Sequence, residues 1–442
     1  MRVAVVGTGI SGLVAARELA LHHDVEVFEA EDRLGGHTHT HAIVDPGRGK
    51  PLAIDTGFIV FNDRTYPNFR RLIDELGVRD KESDMSFSVR NEGTGLEYHG
   101  DGLRGLFAQK RNLLRPRMWG MVRDILRFYK EAKAWLADPD PEQTLGEFLD
   151  AGGYGRTFVE EHLVPMGAAV WSARPEVMAS FPLAFLVRFF DNHGFLEVSE
   201  RPQWRVLVGG SSSYLGPITA RYADRVRLST PVARLRRERT SDDQLLVRLR
   251  TAGGEEQLFD RVVLACHADQ ALRMLGDATA LEREVLTALP YQRNEAVLHT
   301  DTSILPRSRA CWSSWNYHVT RPASDLSTVT YWMNRLQRLD AQRDYLVTLN
   351  RTDAIDPAKV LRTMTYHHPI FTRESIAAQA RHAEVDGSHG VHFCGAYWGY
   401  GFHEDGVRSG LAVARNVAAA AGTEAPELLE VAAHPLQPGG AA

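Results

Sequence analysis

The chain opens on an uncharged apolar run, Val3, Ala4, Val5 and Val6, the pattern of a parallel strand buried on both faces. Apolar positions then recur at helical spacing, with Ile10, Leu13, Val14 and Leu19 on one side and Arg17 and Glu18 on the other. A second strand, "VEVFEA", ends in Glu29. Near the other end, "VHFCGAYWGYGFHEDGVRSGLAVARNVAAA" reads as a buried strand, a glycine and aromatic loop, and an alanine-rich helix from about Val407. Between these ends, the stretch containing Trp171, Phe181, Phe185, Phe189 and Phe190 is dense in aromatics, as are the neighbourhoods of Trp312, Trp315 and Tyr331. Such stretches serve either as ordinary core or as the wall of a long apolar tunnel.

Gly7, Gly9 and Gly12 stand between the first strand and the first helix. In that context the first glycine permits a tight turn, the second removes a side chain that would block a pyrophosphate, and the third lets helix and strand approach. The free NH groups at the helix start, around Ile10 and Ser11, then face the phosphates. Glu29 follows Gly7 by 22 residues, the spacing at which a carboxylate meets ribose hydroxyls and repels an extra phosphate there. These features predict a dinucleotide site without separating NAD from FAD.

The following residues make that separation. After Glu29 come Ala30, Arg33, Gly35, Gly36 and His37, and then Asp55, Thr56, Gly57 and Phe58 in "IDTGFIVF". An acid closing the second strand, then Arg-x-Gly-Gly, then Asp-x-Gly, resembles the flavin amine oxidase superfamily. The resemblance implies a non-covalent FAD, with Arg33, Gly35 and Gly36 on the phosphate side and Thr56, Gly57 and Phe58 near the isoalloxazine. It also implies that Val232 meets the adenine, that Ala265 lies by the adenosine half, and that Gly395 closes on the ribityl chain. Gly406, Val407 and Ser409 match the family's final Gly-x-x-Ser-Gly, where a helix start stabilises charge on a reduced flavin. The chain departs from the family pattern in three places: His37 replaces an arginine, Ala396 replaces a ribityl-binding acid, and "NEAVLHTD" has Asn294, Glu295 and Ala296 but no lysine. The missing lysine counts against amine oxidation.

The implied fold class is α/β, with a Rossmann-like FAD domain of the glutathione-reductase and amine-oxidase type. That domain is discontinuous, over 1–78, 203–290 and 386–421, with a substrate domain of mixed sheet and helices over 79–202 and 291–385 and a mobile tail over 422–442. Among 442 residues, Cys266, Cys311 and Cys394 are widely spaced and odd in number, which predicts a reducing compartment and neither a disulfide framework nor a metal site. A first strand at residue 2 leads us to expect no signal peptide and a cytoplasmic protein. The formal net charge of -5 argues against nucleic acid as a partner. No second dinucleotide fingerprint is present, so an NADPH domain that reduces the flavin is not expected.

One segment runs against the overall charge. Over 104–136, nine basic residues face only Asp124 and Glu131, a surplus of seven, and aromatic and aliphatic side chains are interleaved with them. Such a stretch predicts either peripheral contact with the inner membrane face or a pair of amphipathic helices with solvated arginines.

The wider set of motifs, including "GGHTHT", "RFFDNHG", "YWMNRLQ" and "GYGFHEDG", resembles a bacterial branch of the superfamily associated with cyclopropane, methylated and furan fatty acids. That resemblance implies a hydrophobic or lipid substrate, a functional link to a lipid methyltransferase, and desaturation or oxidation of an acyl chain by hydride transfer to flavin N5. Such chemistry needs a base in a dry channel. His403 and Glu404 rank first as base or orienting pair, Tyr400 stands beside them, and Tyr98, His99, Asp191 and His193 are weaker candidates. The alternatives are oxidation of a mono- or polyamine, redox-neutral isomerisation of a double bond, and a non-enzymatic carrier, which would be colourless.

Overall fold

The computed structural model describes residues 1–47, 49–100, 102–198 and 201–430. Its first unit is a five-stranded parallel sheet in the order Val226–Arg227, Asp24–Phe28 (β2), Arg2–Val6 (β1), Arg261–Leu264 and Val391–Phe393. The alternation along β1 explains its place at the centre. Val3 and Val5 face Ala15, Ala16 and Leu19 of helix Ile10–Leu19 (α1), together with Val413, Ala414 and Val417 of helix His403–Ala421. Ala4 and Val6 face the opposite layer, built from Leu235, Val247 and Leu249 of an antiparallel three-stranded sheet and from helices Ala268–Met274 and Ala280–Thr287. This is the α/β, Rossmann-like arrangement expected from the sequence.

The two long helices meet closely because glycines line the contact. A Cβ on Gly410 would stand 2.4 Å from the Ser11 carbonyl oxygen, and one on Gly406 would stand 2.6 Å from Ile10 Cγ2. The amino-terminal ends of both helices thereby stand at the carboxyl edge of the sheet, where ligands bind in open α/β folds.

The second unit is a seven-stranded sheet in the order Val360–Pro369, Tyr291–His299, Leu346–Leu349, Val329–Trp332, Trp315–Val319, Phe87–Asn91 and Glu97–His99. All its pairings are antiparallel except that between Trp315–Val319 and Phe87–Asn91. Ala296 and Leu298 turn into a large core shared with helices from 116–192, whereas Val297 turns the other way, onto Ile304 and Ile355. The basic stretch folds as a short helix Gly102–Leu106, a turn Lys110–Leu114 and a twenty-residue helix Pro116–Trp135.

Two expectations need adjusting. Ala378 and Val385, within 291–385, pack in the core beneath the parallel sheet, so the chain has crossed to that side before residue 386. In the tail, Glu427 pairs with Arg71 at 2.9 Å and the Leu429 carbonyl accepts from Asn68 and Arg408, so 427–429 is docked on helix Pro67–Glu75 (α2). Residues 431–442, the rest of that tail, lie outside the described residues. Among the described residues, no helix is long and apolar enough to cross a membrane.

Candidate functional site

A cavity of about 990 Å³ opens at the carboxyl ends of β1 and β2 and continues to the seven-stranded sheet. One wall is made of glycine turns. Gly7 has φ +105°, and a Cβ there would lie 2.6 Å from the Ala265 carbonyl oxygen. A Cβ on Gly12 would lie 2.1 Å from the Gly7 carbonyl oxygen. Gly9 differs from both: its Cβ would meet no protein atom within 4 Å. The first and third glycines therefore serve packing, and the second keeps cavity space open. Gly36, with φ +56°, lies over Gly9, where its Cβ would approach the Gly9 Cα to 3.3 Å.

Glu29 closes β2 into this wall, and its carboxylate accepts from Thr8 N at 2.8 Å, from the Thr8 hydroxyl, and from Glu31 N at 2.9 Å. Arg33 donates to the Gly36 carbonyl at 2.9 Å and pairs with Glu31 at 2.8 Å, so it shapes the Gly35 and Gly36 loop from behind. His37 follows, with Nε2 buried and lacking a partner among the described residues. Burial and the neighbouring His368 hold its ring neutral, well below the usual histidine range. An open glycine face, a helix start at Ile10 and an orphaned imidazole nitrogen together fit a pyrophosphate with its sugar and base.

The second wall is aromatic. The segment 164–192 contributes Val170, Trp171 and Phe189, and the sheet contributes Trp315, Tyr331 and Leu349. Phe189 stacks on His193 with centroids 3.9 Å apart, and Trp171 lies 4.8 Å from Phe189. His193 Nδ1 donates to the Phe189 carbonyl at 2.9 Å, which fixes the tautomer and leaves Nε2 as an acceptor. Burial lowers its pKa to about 4.

The structure places Gly7, Gly9, Ile10, Ser11, Glu29, Ala30, Arg33, Gly35, Gly36, His37, Thr56, Gly57, Phe58, Val232, Ala265, Gly395, Ala396, Tyr400 and His403 around this one cavity. Five other named residues stand behind it. Gly12 and Gly406 admit neighbouring backbone and side chain, and Val407 packs against Ile10, Leu13 and Val14. The Ser409 hydroxyl accepts from Gly395 N at 3.0 Å. Glu404 points to α2, where its carboxylate accepts from Asn68 N, Asn68 Nδ2 and Phe69 N at 2.7 to 3.1 Å. It is therefore the cap of that helix, satisfying NH groups that no helical carbonyl reaches. Burial raises its pKa to about 7.

His403 also changes role. The helix begins at His403, four residues earlier than the alanine pattern suggests, because Asp405 reaches back to Phe402 N at 2.8 Å and closes a cap. The imidazole stacks on Phe58 with centroids 3.5 Å apart and planes within 4°. Its Nε2 lies 2.9 Å from the Tyr214 hydroxyl, and burial pushes its pKa down to about 3. That nitrogen is engaged by the Tyr214 hydroxyl and the ring face is covered by Phe58, so His403 is a neutral wall residue with no free acceptor for a substrate proton. Of the weaker candidates, Tyr98 donates to the Glu161 carbonyl at 2.7 Å, away from the cavity, and Asp191 pairs with Lys133 at 3.6 Å. His193 alone of those four lines the cavity.

The sequence reading missed the strand-borne trio Tyr366, His367 and His368, all of which line the cavity. The Tyr366 hydroxyl lies 2.8 Å from the Thr56 hydroxyl, and His368 Nδ1 lies 3.2 Å from Asn294 Nδ2. The run "TYHHP" was the available signal, since three polar aromatics at the end of a strand invite a site rather than a core.

Comparison with known proteins agrees with this geometry. A family model described as flavin containing amine oxidoreductase matches residues 10–418. A curated relative, the flavin-containing amine oxidase A of Canis lupus familiaris, is 28% identical over 256 residues, 55% of this chain and 46% of that protein. The chain thus spans about half the length of such a relative. Among solved structures, putrescine oxidase bound to putrescine superposes with a TM-score of 0.68 at 16% identity, over 95% of this chain and 99% of that one. A fatty acid isomerase from P. acnes that produces CLA superposes with a TM-score of 0.64 at 15% identity, over 95% and 98%.

Proposed function

The chain belongs to the flavin-containing amine oxidoreductase family, and we propose that it is an FAD-dependent oxidoreductase whose substrate is a neutral, apolar molecule, foremost a fatty-acyl chain. FAD, when bound, supplies a two-electron acceptor for substrate oxidation. Gly9, Gly36 and the amides opening α1 would hold its pyrophosphate, and Glu29 and Val232 its adenosine half.

The observation that carries the substrate reading is the distribution of charge. Among the described residues lining the cavity, the charged side chains are Glu29, Glu31, Arg33 and Arg273, all on the nucleotide wall. The aromatic wall offers no carboxylate to an ammonium group. Moving such a cation from water to an unpaired apolar site costs several kcal/mol. A methylene chain gains about 0.8 kcal/mol per buried CH₂, so ten methylenes contribute roughly 8 kcal/mol. The wall therefore favours an acyl chain over an amine. Asn294, Glu295 and Ala296 on strand Tyr291–His299 put no lysine there, which points the same way. The likeness to a fatty acid isomerase supports the reading.

Trp171, Phe189 and Phe371 would exclude water from the bound chain. His193, neutral and with Nδ1 committed to the Phe189 carbonyl, has an unprotonated Nε2 able to take a proton from the substrate carbon next to the oxidised one.

The test is an anaerobic titration of the flavin-loaded protein, first with phospholipid carrying methylated or unsaturated acyl chains and then with mono- and polyamines. Bleaching by lipid supports the reading, and bleaching by amines alone refutes it. A flavin that stays yellow while the lipid's double bond moves would replace oxidation with redox-neutral isomerisation.

A further inference from the structure

The described residues include eleven exposed large apolar side chains, and five of them, Leu103, Leu113, Leu114, Trp119 and Leu126, fall within 24 residues of one another. Leu114 is 89% exposed, Leu126 53% and Trp119 48%. Trp119 Nε1 donates to the Leu113 carbonyl at 3.0 Å, which holds Leu113 and Leu114 beside Trp119, and a cluster of exposed apolar side chains marks an interaction site. Helix Pro116–Trp135 shows how it arises. Its inner face, Met118, Met121, Ile125, Phe128 and Ala132, is buried in the large core. Its outer face carries Trp119, Arg123, Leu126 and Lys130, spaced four, three and four residues apart, so that apolar and basic side chains alternate along one stripe.

Charge surrounds the stripe. Arg104, Lys110, Arg111, Arg115, Arg117 and Lys130 form no ion pair with a described carboxylate, whereas Arg123 and Arg127 share Asp124, at 3.2 and 3.6 Å, and Lys133 binds Glu197. With a surplus of seven on 104–136 and -5 overall, the rest of the chain carries a net charge of -12. The surplus of positive charge thus falls in the segment that exposes five of these eleven apolar side chains.

We propose that this surface, Leu103 to Lys130, docks the protein on an anionic phospholipid bilayer, with Leu114, Trp119 and Leu126 entering the headgroup layer and the surrounding arginines and lysines on lipid phosphates. The chemistry selects this occupant. A second copy docked face to face would bring one basic surface against another. Nucleic acid would meet the phosphate-binding groups but leave exposed leucines without a partner, and the remainder of the chain would repel it. Anionic lipid answers both features, since basic residues near such a surface contribute about 1 kcal/mol each and apolar side chains add burial. The inner face of the same helix shares a core with Trp171 and Phe189, which line the cavity, so docking would set the substrate side of the molecule against its proposed lipid source. The inference stands without the substrate reading, because vesicle binding needs no turnover.

The experiment is co-sedimentation of the flavin-loaded protein with vesicles of phosphatidylcholine alone and of phosphatidylcholine with about one third phosphatidylglycerol. Capture by the anionic vesicles is expected, with a roughly tenfold or greater loss of partition as salt rises and screening shortens. The double variant Leu114→Asp, Trp119→Asp should lose capture about tenfold at unchanged flavin absorbance, because it removes burial and adds repulsion. If that variant sheds its flavin, Arg104→Gln with Arg117→Gln provides the charge-only test and should weaken capture about tenfold or more. The proposal is overturned by no capture, by equal and salt-insensitive capture on neutral vesicles, by variants that bind like the parent, by self-association through this face, or by binding to an oligonucleotide but not to vesicles.

Discussion

The hydroxyl of Tyr214 lies 2.9 Å from Nε2 of His403, behind a ring that stacks face to face on Phe58. Two segments far apart in sequence meet there at the cavity wall, and the contact satisfies polar atoms that burial would otherwise strand. Tyr214→Phe leaves His403 Nε2 with only the Thr38 hydroxyl at 3.5 Å. Loss of that hydrogen bond should lower stability by about 1 to 2 kcal/mol, read as a shift in the urea midpoint, with flavin content retained.

Gly9 and Gly12 should respond oppositely to a side chain. At Gly9, φ is -61° and ψ 168°, which any residue adopts, and the space beyond is empty. Gly9→Val should therefore fold like the parent apoprotein, with an unchanged urea midpoint, yet bind FAD at least roughly tenfold more weakly by equilibrium dialysis. Gly12→Val places its Cβ 2.1 Å from the Gly7 carbonyl oxygen and should fail to fold. Equal flavin content in Gly9→Val and the parent would remove the pyrophosphate assignment.

The Asp-x-Gly motif whose Gly57 lines the cavity begins at Asp55, which does not line it and is a hydrogen-bonded knot instead. Its carboxylate accepts from Ser211 N and Oγ, Thr40 Oγ1 and Gln337 Nε2, all at 2.5 to 3.0 Å, while burial lifts its pKa to about 6. Asp55→Asn turns one acceptor into a donor facing donors. A loss of roughly 2 to 4 kcal/mol is expected in urea denaturation.

That difference shows what the sequence could and could not reveal. Strand, glycine turn, helix and Glu29 were legible because each is local and follows hydrophobic period or turn chemistry. Asp55 carried a family motif, but its partners at 40, 211 and 337 are brought together only by the fold. His403 and Glu404 illustrate the same limit. They are adjacent in sequence at a helix start, and the rotation of about 100° between successive helix residues sends the imidazole to the cavity and the carboxylate to α2. His193 was legible as a candidate, but its advantage lies in the Phe189 carbonyl, a local helix-end contact visible only in three dimensions.

Acid should destabilise the protein well before its carboxylates titrate. Burial lowers the pKa values of His162, His193, His299, His318 and His403 below the ordinary value of 6.5. A lowered pKa in the folded state gives stability that is full above the unfolded value and is lost as pH falls toward the folded one. Between pH 7 and 5 each of these rings should remove roughly 2 kcal/mol. Asp55 and Glu404, raised to about 6 and 7, act in the opposite sense, gaining stability as pH falls. Their combined contribution is roughly 4 kcal/mol over that interval, so the histidines prevail. Urea midpoints should fall steadily from pH 7 to 5, and a rise would show that the rings are not held neutral.

His193→Gln tests the proton acceptor. Glutamine keeps a polar group of similar reach but cannot take up a proton, so anaerobic flavin reduction by lipid should slow about a hundredfold or more, while flavin content and lipid affinity hold. An unchanged rate would move the base elsewhere on the cavity wall.

Oxidation of an acyl chain seated on the aromatic wall is the reaction proposed for the bound flavin. Its most direct test is a single anaerobic turnover, with flavin absorbance and the mass of the acyl chain measured in one sample. Each equivalent of flavin bleached should be matched by one acyl chain lighter by two hydrogens, with amines leaving the flavin yellow. Bleaching by an amine, with every acyl chain unchanged in mass, would contradict it.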